Sequence, residues 1–173
     1  MLAVLRHRAQ SASDAAVRYS AVRELVAQSF DDPETLAWLK TLAQTESDFA
    51  VACATANAIV DHWSHDPTTL TWFKTYAQYG KSPAVRAAAA QALARGWKDE
   101  FNVFEILYKC AIGDPFDALR DEGVNPRQVA LKVMLDYYPG DAKVAFLLSD
   151  RAENDADVEV RRCARSLMNR CAA

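Results

Sequence analysis

Apolar residues return at fixed steps along this chain. Leu36, Leu39 and Ala43 stand at i, i+3 and i+7, and Leu70, Phe73 and Ala77 repeat them 34 residues later. Leu2, Leu5 and Ala9 precede them at the same steps, and Phe104, Leu107 and Ala111 follow. That spacing places three apolar side chains on one stripe of a helix. It predicts a first helix, A, at about 1–10, 33–45, 67–79 and 100–112, with a fifth copy at 144–152 where Leu148 and Ala152 keep register. A second helix, B, is marked by Val17, Val51, Val85 and Val160, with Leu25, Ile59, Leu93 and Met168 eight residues on. Ala21, Thr55, Ala89 and Ala164, four residues after each valine, hold the same face. The third B helix, Ala84 to Arg95, is nearly polyalanine on one side, which suits a tightly packed interior position.

Polar residues punctuate this pattern. Asp14, Asp48 and Asp157 lie three residues before their valines, where a carboxylate can cap orphan N–H groups. Asp32-Pro33 and Asp66-Pro67 predict a cap and a first-turn proline for two A helices, and Pro83 a first-turn proline for a B helix. Gly96 fits a helix C-terminus that needs a positive φ. The fourth unit breaks the rhythm: Val85 to Val129 is 44 residues, so residues 112–124 are surplus. Asp114-Pro115 there predicts a short extra helix ending at Gly123.

The wording repeats as well as the pattern. Asp32-Pro33-Glu34-Thr35-Leu36-Ala37-Trp38-Leu39-Lys40 is answered by Asp66-Pro67-Thr68-Thr69-Leu70-Thr71-Trp72-Phe73-Lys74. Self-similarity at this period means stacked supersecondary units. The expectation is an all-α, right-handed α-solenoid of about five helical hairpins in one domain, 1–173. The units fall at about 1–31, 32–65, 66–99, 100–140 and 141–173, the last helix closing near Ala172.

A period of 34 is nominally that of tetratricopeptide repeats, but no Gly follows the helix A leucines as that signature requires. The B helices instead read Asp-x-x-Val-Arg-x-x-Ala at Asp14–Ala21 and Asp157–Ala164, with Val85-Arg86 and Ala89 as a third copy. This resembles HEAT repeats. More narrowly, residues 32–40 and Ala-Leu-Ala-Arg-Gly-Trp-Lys-Asp at 92–99 resemble the helical arrays at the C-terminal end of bacterial, especially cyanobacterial, NACHT-domain NTPases. The match is good over 32–99, fair at 5–28 and 144–170, and poor over 112–143. Ala52 and Ala130 stand where Arg is expected, so an arginine ladder along the stack would be interrupted. The resemblance implies a ligand-sensing array of a larger signalling protein. The sequence carries no GxxxxGK[ST] nucleotide loop. Met1 stands where Thr35 and Thr69 do, without the Asp-Pro cap, which implies an array that continues upstream in a longer chain.

Composition narrows the partners. Hydrophobic residues make up 51% and charged residues 25%, with a net charge of −3, so no global field draws nucleic acid or an anionic membrane. No apolar run reaches the roughly 20 residues of a membrane span, and the early Arg6-His7-Arg8 argues against a signal peptide. Cys53, Cys110, Cys163 and Cys171 form no CxxC and read as buried thiols of a reducing, cytoplasmic compartment.

Candidate chemistry is sparse. Asp61-His62-x-x-His65-Asp66 has metal-ligand residue types but reads as a polar junction between units. Asp114, Asp117, Asp121 and Glu122 read as a solvated acidic loop, with partner contact as the other reading. Trp38, Trp63, Trp72 and Trp97 read as packing residues. Arg161, Arg162, Arg165 and Arg170 make one helix basic, opposed by Glu153, Asp155, Asp157 and Glu159. No catalytic set and no cofactor motif has supporting context. The leading expectation is a non-enzymatic module that recognises a protein partner on the concave B helices. Arg23, Asn57 and Gln91 lie six residues after the marker valines, and Tyr19 and Arg162 two after. Asp117 and Arg120 of the insertion complete the candidate partner residues. The alternatives are a nucleic-acid-binding array resembling HEAT-like DNA glycosylases, and a phycobilisome lyase or chaperone of HEAT type.

Overall fold

A computed structural model describes residues 1–171, so the helix end expected at Ala172 lies outside the described residues. Among these residues the chain forms ten α-helices and no strand. The A helices are α1 (Leu2–Ser11), α3 (Pro33–Thr45), α5 (Thr69–Tyr79), α7 (Val103–Gly113) and α9 (Ala142–Asn154). The B helices are α2 (Ala15–Ser29), α4 (Phe49–Trp63), α6 (Pro83–Trp97), α8 (Pro126–Tyr137) and α10 (Val158–Cys171).

The helix starts follow cap chemistry. Asp14, Asp32 and Asp48 accept the N–H groups of Ala16, Glu34 and Val51, and Asp157 accepts that of Glu159. Pro33 and Pro83 occupy first-turn positions. Asp66-Pro67 departs from this expectation, because α5 begins at Thr69. The Asp66 carboxylate accepts both the N–H and the hydroxyl of Thr68, which makes a separate side-chain turn ahead of the helix. Gly96 also differs. It lies inside α6 without a positive φ. A Cβ there would sit 3.1 Å from Val60 Cγ1, so the glycine lets α6 approach α4.

The B helices pack on one another at every step, whereas among the A helices only α5 and α7 share a comparable interface. A tight B layer and a splayed A layer put the B helices on the concave side of an α-solenoid. Leu39, Phe73, Leu107 and Leu148 bury the A stripe, and Ile59, Leu93 and Met134 the B stripe. Helix α6 touches α3, α4, α5, α7 and α8 through its buried alanines. Trp72 lies against Tyr76 at 4.4 Å and Phe73 against Trp97 at 5.6 Å, so the aromatic residues of the repeated stretch serve packing. Lys40 and Lys74 each reach the start of the next hairpin, at Thr68 Oγ1 (2.8 Å) and the Phe101 carbonyl (2.7 Å).

A buried arginine ladder ties the hairpins together. Arg86 Nη1 donates to the Gly80 and Lys81 carbonyls of its own turn. Its Nε and Nη2 form a bidentate pair with Asp114, 28 residues on, at 2.7 and 3.0 Å. Arg18 repeats this geometry with the Ala12 and Ser13 carbonyls and Glu46, again 28 residues on. Each acid also accepts N–H groups of its own turn: Ser47 and Asp48 at Glu46, Phe116 at Asp114. The interruption expected at Ala52 fits the structure, since the residue 28 positions on is Gly80 and offers no carboxylate. The interruption expected at Ala130 does not occur. Arg127 takes that rung, donating to Asp155 at 3.3 Å, and Ala130 is a buried helix-packing residue.

The insertion accordingly forms no extra helix, its first two residues closing α7. It runs as a loop with a turn at 118–120 and positive φ at Gly123. Nor is it a wholly solvated acidic loop, because Asp114 and Phe116 are buried. Asp114 is claimed by Arg86, and Arg127 holds the Asp114 and Phe116 carbonyls. These bonds fix the backbone extended where a helix would have begun.

The Arg86 and Asp114 side chains are 6% and 2% exposed, so removing one partner strands a buried charge. Arg86→Ala is expected to cost about 3–5 kcal/mol and lower the melting temperature by roughly 10 °C. Thermal unfolding followed by circular dichroism checks this; a shift under about 2 °C would contradict the role given to the ladder.

Candidate recognition surface

The concave side displays rows of side chains set by the B-helix registers. Six residues after the marker position come Arg23, Asn57, Gln91, Lys132 and Ser166, and ten after come Ala27, Asp61, Arg95, Asp136 and Arg170. The fourth register counts from Pro126, the residue before the ladder arginine Arg127.

Three of the expected partner residues meet at one place. Tyr19, Arg23 and Asn57 line a cleft of about 300 Å3 between α2 and α4, with Val22, Val26 and Ala58 as its apolar lining. The Arg23 guanidinium stands 5.8 Å over the Tyr19 ring, a cation–π contact that holds both side chains on the cleft. Asp61 and His62 also line it, and His62 is covered by the Phe30 ring at 5.2 Å. On the neighbouring helix, Arg95 donates to Asn57 Oδ1 at 3.1 Å and to Asp61. The cleft thus offers a cation, an amide and a carboxylate around an apolar lining.

The other expected residues lie apart. Gln91 is half-buried on α6, its Oε1 3.6 Å from Cys53 Sγ. Arg162 is held on its own helix by Glu159 at 2.7 Å. Asp117 and Arg120 pair with each other in the insertion at 2.8 Å. The Leu119 N–H and then Arg120 hold the Asp117 carboxyl below its usual range.

Sequence reasoning missed the row ten residues after the marker, although its signal was present. Its charges alternate in sign, and the structure pairs Asp61 with Arg95 and Asp136 with Arg170. Lys132 falls outside the row when the fourth register is counted from Val129, as the spacing from Val85 suggests. Asp61-His62-x-x-His65-Asp66 is a junction, with Asp61 engaged by Arg95 and Asp66 by Thr68 and Lys40.

The description of HEAT repeats matches residues 2–94, more than half of the chain. The chain belongs to the HEAT-repeat family. No curated protein and no solved structure matches it. HEAT repeats commonly mediate protein interactions and are generally non-enzymatic. Among the described residues of this HEAT-repeat chain, no helix is long and apolar enough to cross a membrane.

Of the cysteines expected to be buried, Cys110 is buried on α7, whereas Cys53 and Cys163 are half-buried, because their helix faces lie at the edge of the packed layer. Burial, with Asp48 nearby, pushes the Cys53 thiol up to about 12, and burial, with Asp114 nearby, does the same at Cys110. Both are expected to alkylate at pH 8 roughly a thousandfold more slowly than an exposed thiol, and at ordinary rates in denaturant. Peptide mapping after iodoacetamide treatment checks this; rapid labelling of either cysteine in the folded chain contradicts it.

Proposed function

We propose that this chain is a non-enzymatic protein-recognition module whose B helices form the binding surface, centred on Tyr19, Arg23 and Asn57. The observation that carries this reading is the α2–α4 cleft, where an aromatic ring, a guanidinium and an amide converge on an apolar lining. Aromatic and arginine side chains in a partly desolvated pocket are the residue types that dominate protein interfaces. A preformed cleft also limits the ordering cost of association. A protein partner fits better than nucleic acid, because Asp61, Asp136 and Glu159 neutralise Arg95, Arg170 and Arg162.

The finer reading is the sensor or interaction part of a larger NACHT-type signalling NTPase. The segments at 32–40 and 92–99 support it by resemblance. On the surface of α1 and α2, Met1 and Val17 are exposed although Thr35 and Thr69, and Val51 and Val85, are buried at the matching positions, and Val4 is exposed where Trp38 and Trp72 are half-buried. An exposed apolar face of this kind is a candidate interaction surface.

A photo-crosslinking residue placed at Asn57 tests the surface in cells, with one at Thr71 on the outer layer as comparison. The expected outcome is a discrete protein adduct at position 57, lost in Arg23→Glu and absent at position 71. Equal adducts at both positions, or nucleic acid as the crosslinked species, would overturn the reading.

A further inference from the structure

The ends of α5 and α7 depart from the repeat at one place. The residues after Ala9, Ala43, Ala77, Ala111 and Ala152 are Gln10, Gln44, Gln78, Ile112 and Glu153. Two places after come Ser11, Thr45, Tyr79, Gly113 and Asn154. Each column holds one large exception to its small or polar pattern, and the two exceptions, Tyr79 and Ile112, line the same cleft of about 320 Å3. Ala77, Cys110 and Lys109 line it with them, and so does Pro115 of the insertion. Tyr79 is 76% and Ile112 41% exposed. Single exposed apolar residues are ordinary, whereas several around one cleft mark a contact site. Among the described residues Lys109 has no carboxylate within ion-pair reach.

The loop that supplies Pro115 carries the complement of this cleft. Leu119, four residues on, is 95% exposed. Its position is nevertheless fixed. The Leu119 N–H donates to Asp117 Oδ1 at 2.9 Å, and the Asp117 carbonyl accepts the N–H groups of Arg120 and Asp121 at 2.9 and 2.8 Å. The Asp117 N–H donates in turn to Asp121 Oδ2 at 2.8 Å. Arg127 holds the base of the loop at the Asp114 and Phe116 carbonyls. A turn held this way presents Leu119 as a knob, and covering it loses little ordering entropy. Glu122, three residues further, is exposed and has no ion-pair partner among the described residues, whereas Asp117 is paired with Arg120.

We infer that two copies of this chain form a two-fold symmetric dimer in which Leu119 of each enters the α5–α7 cleft of the other, with Glu122 of each paired to Lys109 of the other. Charge complementarity selects the occupant. The cleft offers an apolar lining and an unmatched cation; the loop offers an apolar knob and an unmatched carboxylate. A symmetric contact requires a surface complementary to itself. Knob and cleft are neighbours on one molecule, joined by the few residues from Pro115 to Leu119, so a two-fold axis between them sets each knob over the other copy's cleft. A different protein would have to supply both a matching knob and a matching cleft, whereas a second copy brings both. Nucleic acid and anionic membranes are disfavoured, because Asp117, Asp121 and Glu122 surround the knob. The contact uses no residue of the α2–α4 cleft, so either surface can fail alone.

Sedimentation velocity of the full chain over a concentration series reads the association. The expected result is a reversible monomer–dimer equilibrium. Leu119→Asp, which removes the buried knob, is expected to raise the dissociation constant roughly tenfold or more. Lys109→Glu and Glu122→Lys each set like charges against one another at both contacts, and each is expected to weaken the dimer about tenfold. Mixed in equal amounts, these two variants restore opposite charges at both contacts, and the mixture is expected to dimerise within about threefold of the unaltered chain. Lys132→Glu, on the concave side, leaves the equilibrium unchanged. All five positions are exposed or at the surface of the fold, and circular dichroism confirms that each variant is folded. A chain that stays monomeric up to about 1 mM overturns the proposal. So does a dimer indifferent to Leu119→Asp, a mixture no stronger than its two components, or equal weakening by Lys132→Glu.

Discussion

Each rung of the ladder joins three pieces of backbone through one guanidinium and one carboxylate. In the Arg86 rung, one edge of the guanidinium closes the turn before α6, and the other grips the turn after α7 through Asp114. Asp114 in turn holds the Phe116 N–H of its own turn. Apolar burial drives the stacking but is indifferent to small slips between alanine-rich surfaces. A bidentate pair inside that surface is not, because displacing it leaves a charge with neither water nor partner. The rungs therefore set the register of one hairpin on the next. Where the rung is missing, at Ala52 and Gly80, other bonds serve: Ser82 Oγ donates to the Glu46 carbonyl, and Lys40 reaches Thr68.

The same constraint shapes the surface. Rungs sit at the turns that open the B helices, so those helices are held close while the A helices splay. Close B helices bring side chains from successive hairpins within hydrogen-bond reach. Asp61 and Arg95, 34 residues apart, can pair only because α4 and α6 are that near. Gly96 contributes at the same junction by yielding the volume of a Cβ to Val60. The α2–α4 cleft opens where the packing is looser, beside a hairpin whose outer face is uncovered.

Much of the fold was legible because helical stripes and caps are local. Leu36, Leu39 and Ala43 announce a buried face, and Asp48 announces a start, without reference to any other segment. The misreadings share a cause: each needed a contact from elsewhere in the chain. Asp66 looks like Asp32, but the hydroxyl of Thr68, where Asp32 has Glu34 at the matching place, diverts its carboxylate into a separate turn. Asp114-Pro115 looks like a helix start, yet Arg86, 28 residues earlier, holds the carboxylate. Periodicity alone aligns Val129 with Val85 and so makes Ala130 the broken rung. The rung is Arg127, and only its bond to Asp155 reveals the register. The cleft was half legible, since Tyr19, Arg23 and Asn57 follow from a column count, whereas the Asp61–Arg95 pairing depends on the distance between helices.

The insertion shows how far a rung can be bent. Arg127 reaches the Asp114 and Phe116 carbonyls, thirteen and eleven residues back, instead of six and five. Its Nη2 still finds Asp155, but its Nε is buried without a hydrogen-bond partner. A buried donor left unmade costs on the order of 1–3 kcal/mol, so the loop between α7 and α8 is retained against a local penalty. The part of that loop released from packing carries Leu119, which is 95% exposed, beside the paired Asp117 and Arg120. Such a loop differs in kind from the paired rows of the concave face. The regular units supply a frame whose ion pairs are mostly satisfied internally. Within the described residues that frame departs from its own rule at two places: the cleft between α2 and α4, and the loop that the Arg127 rung is stretched to hold.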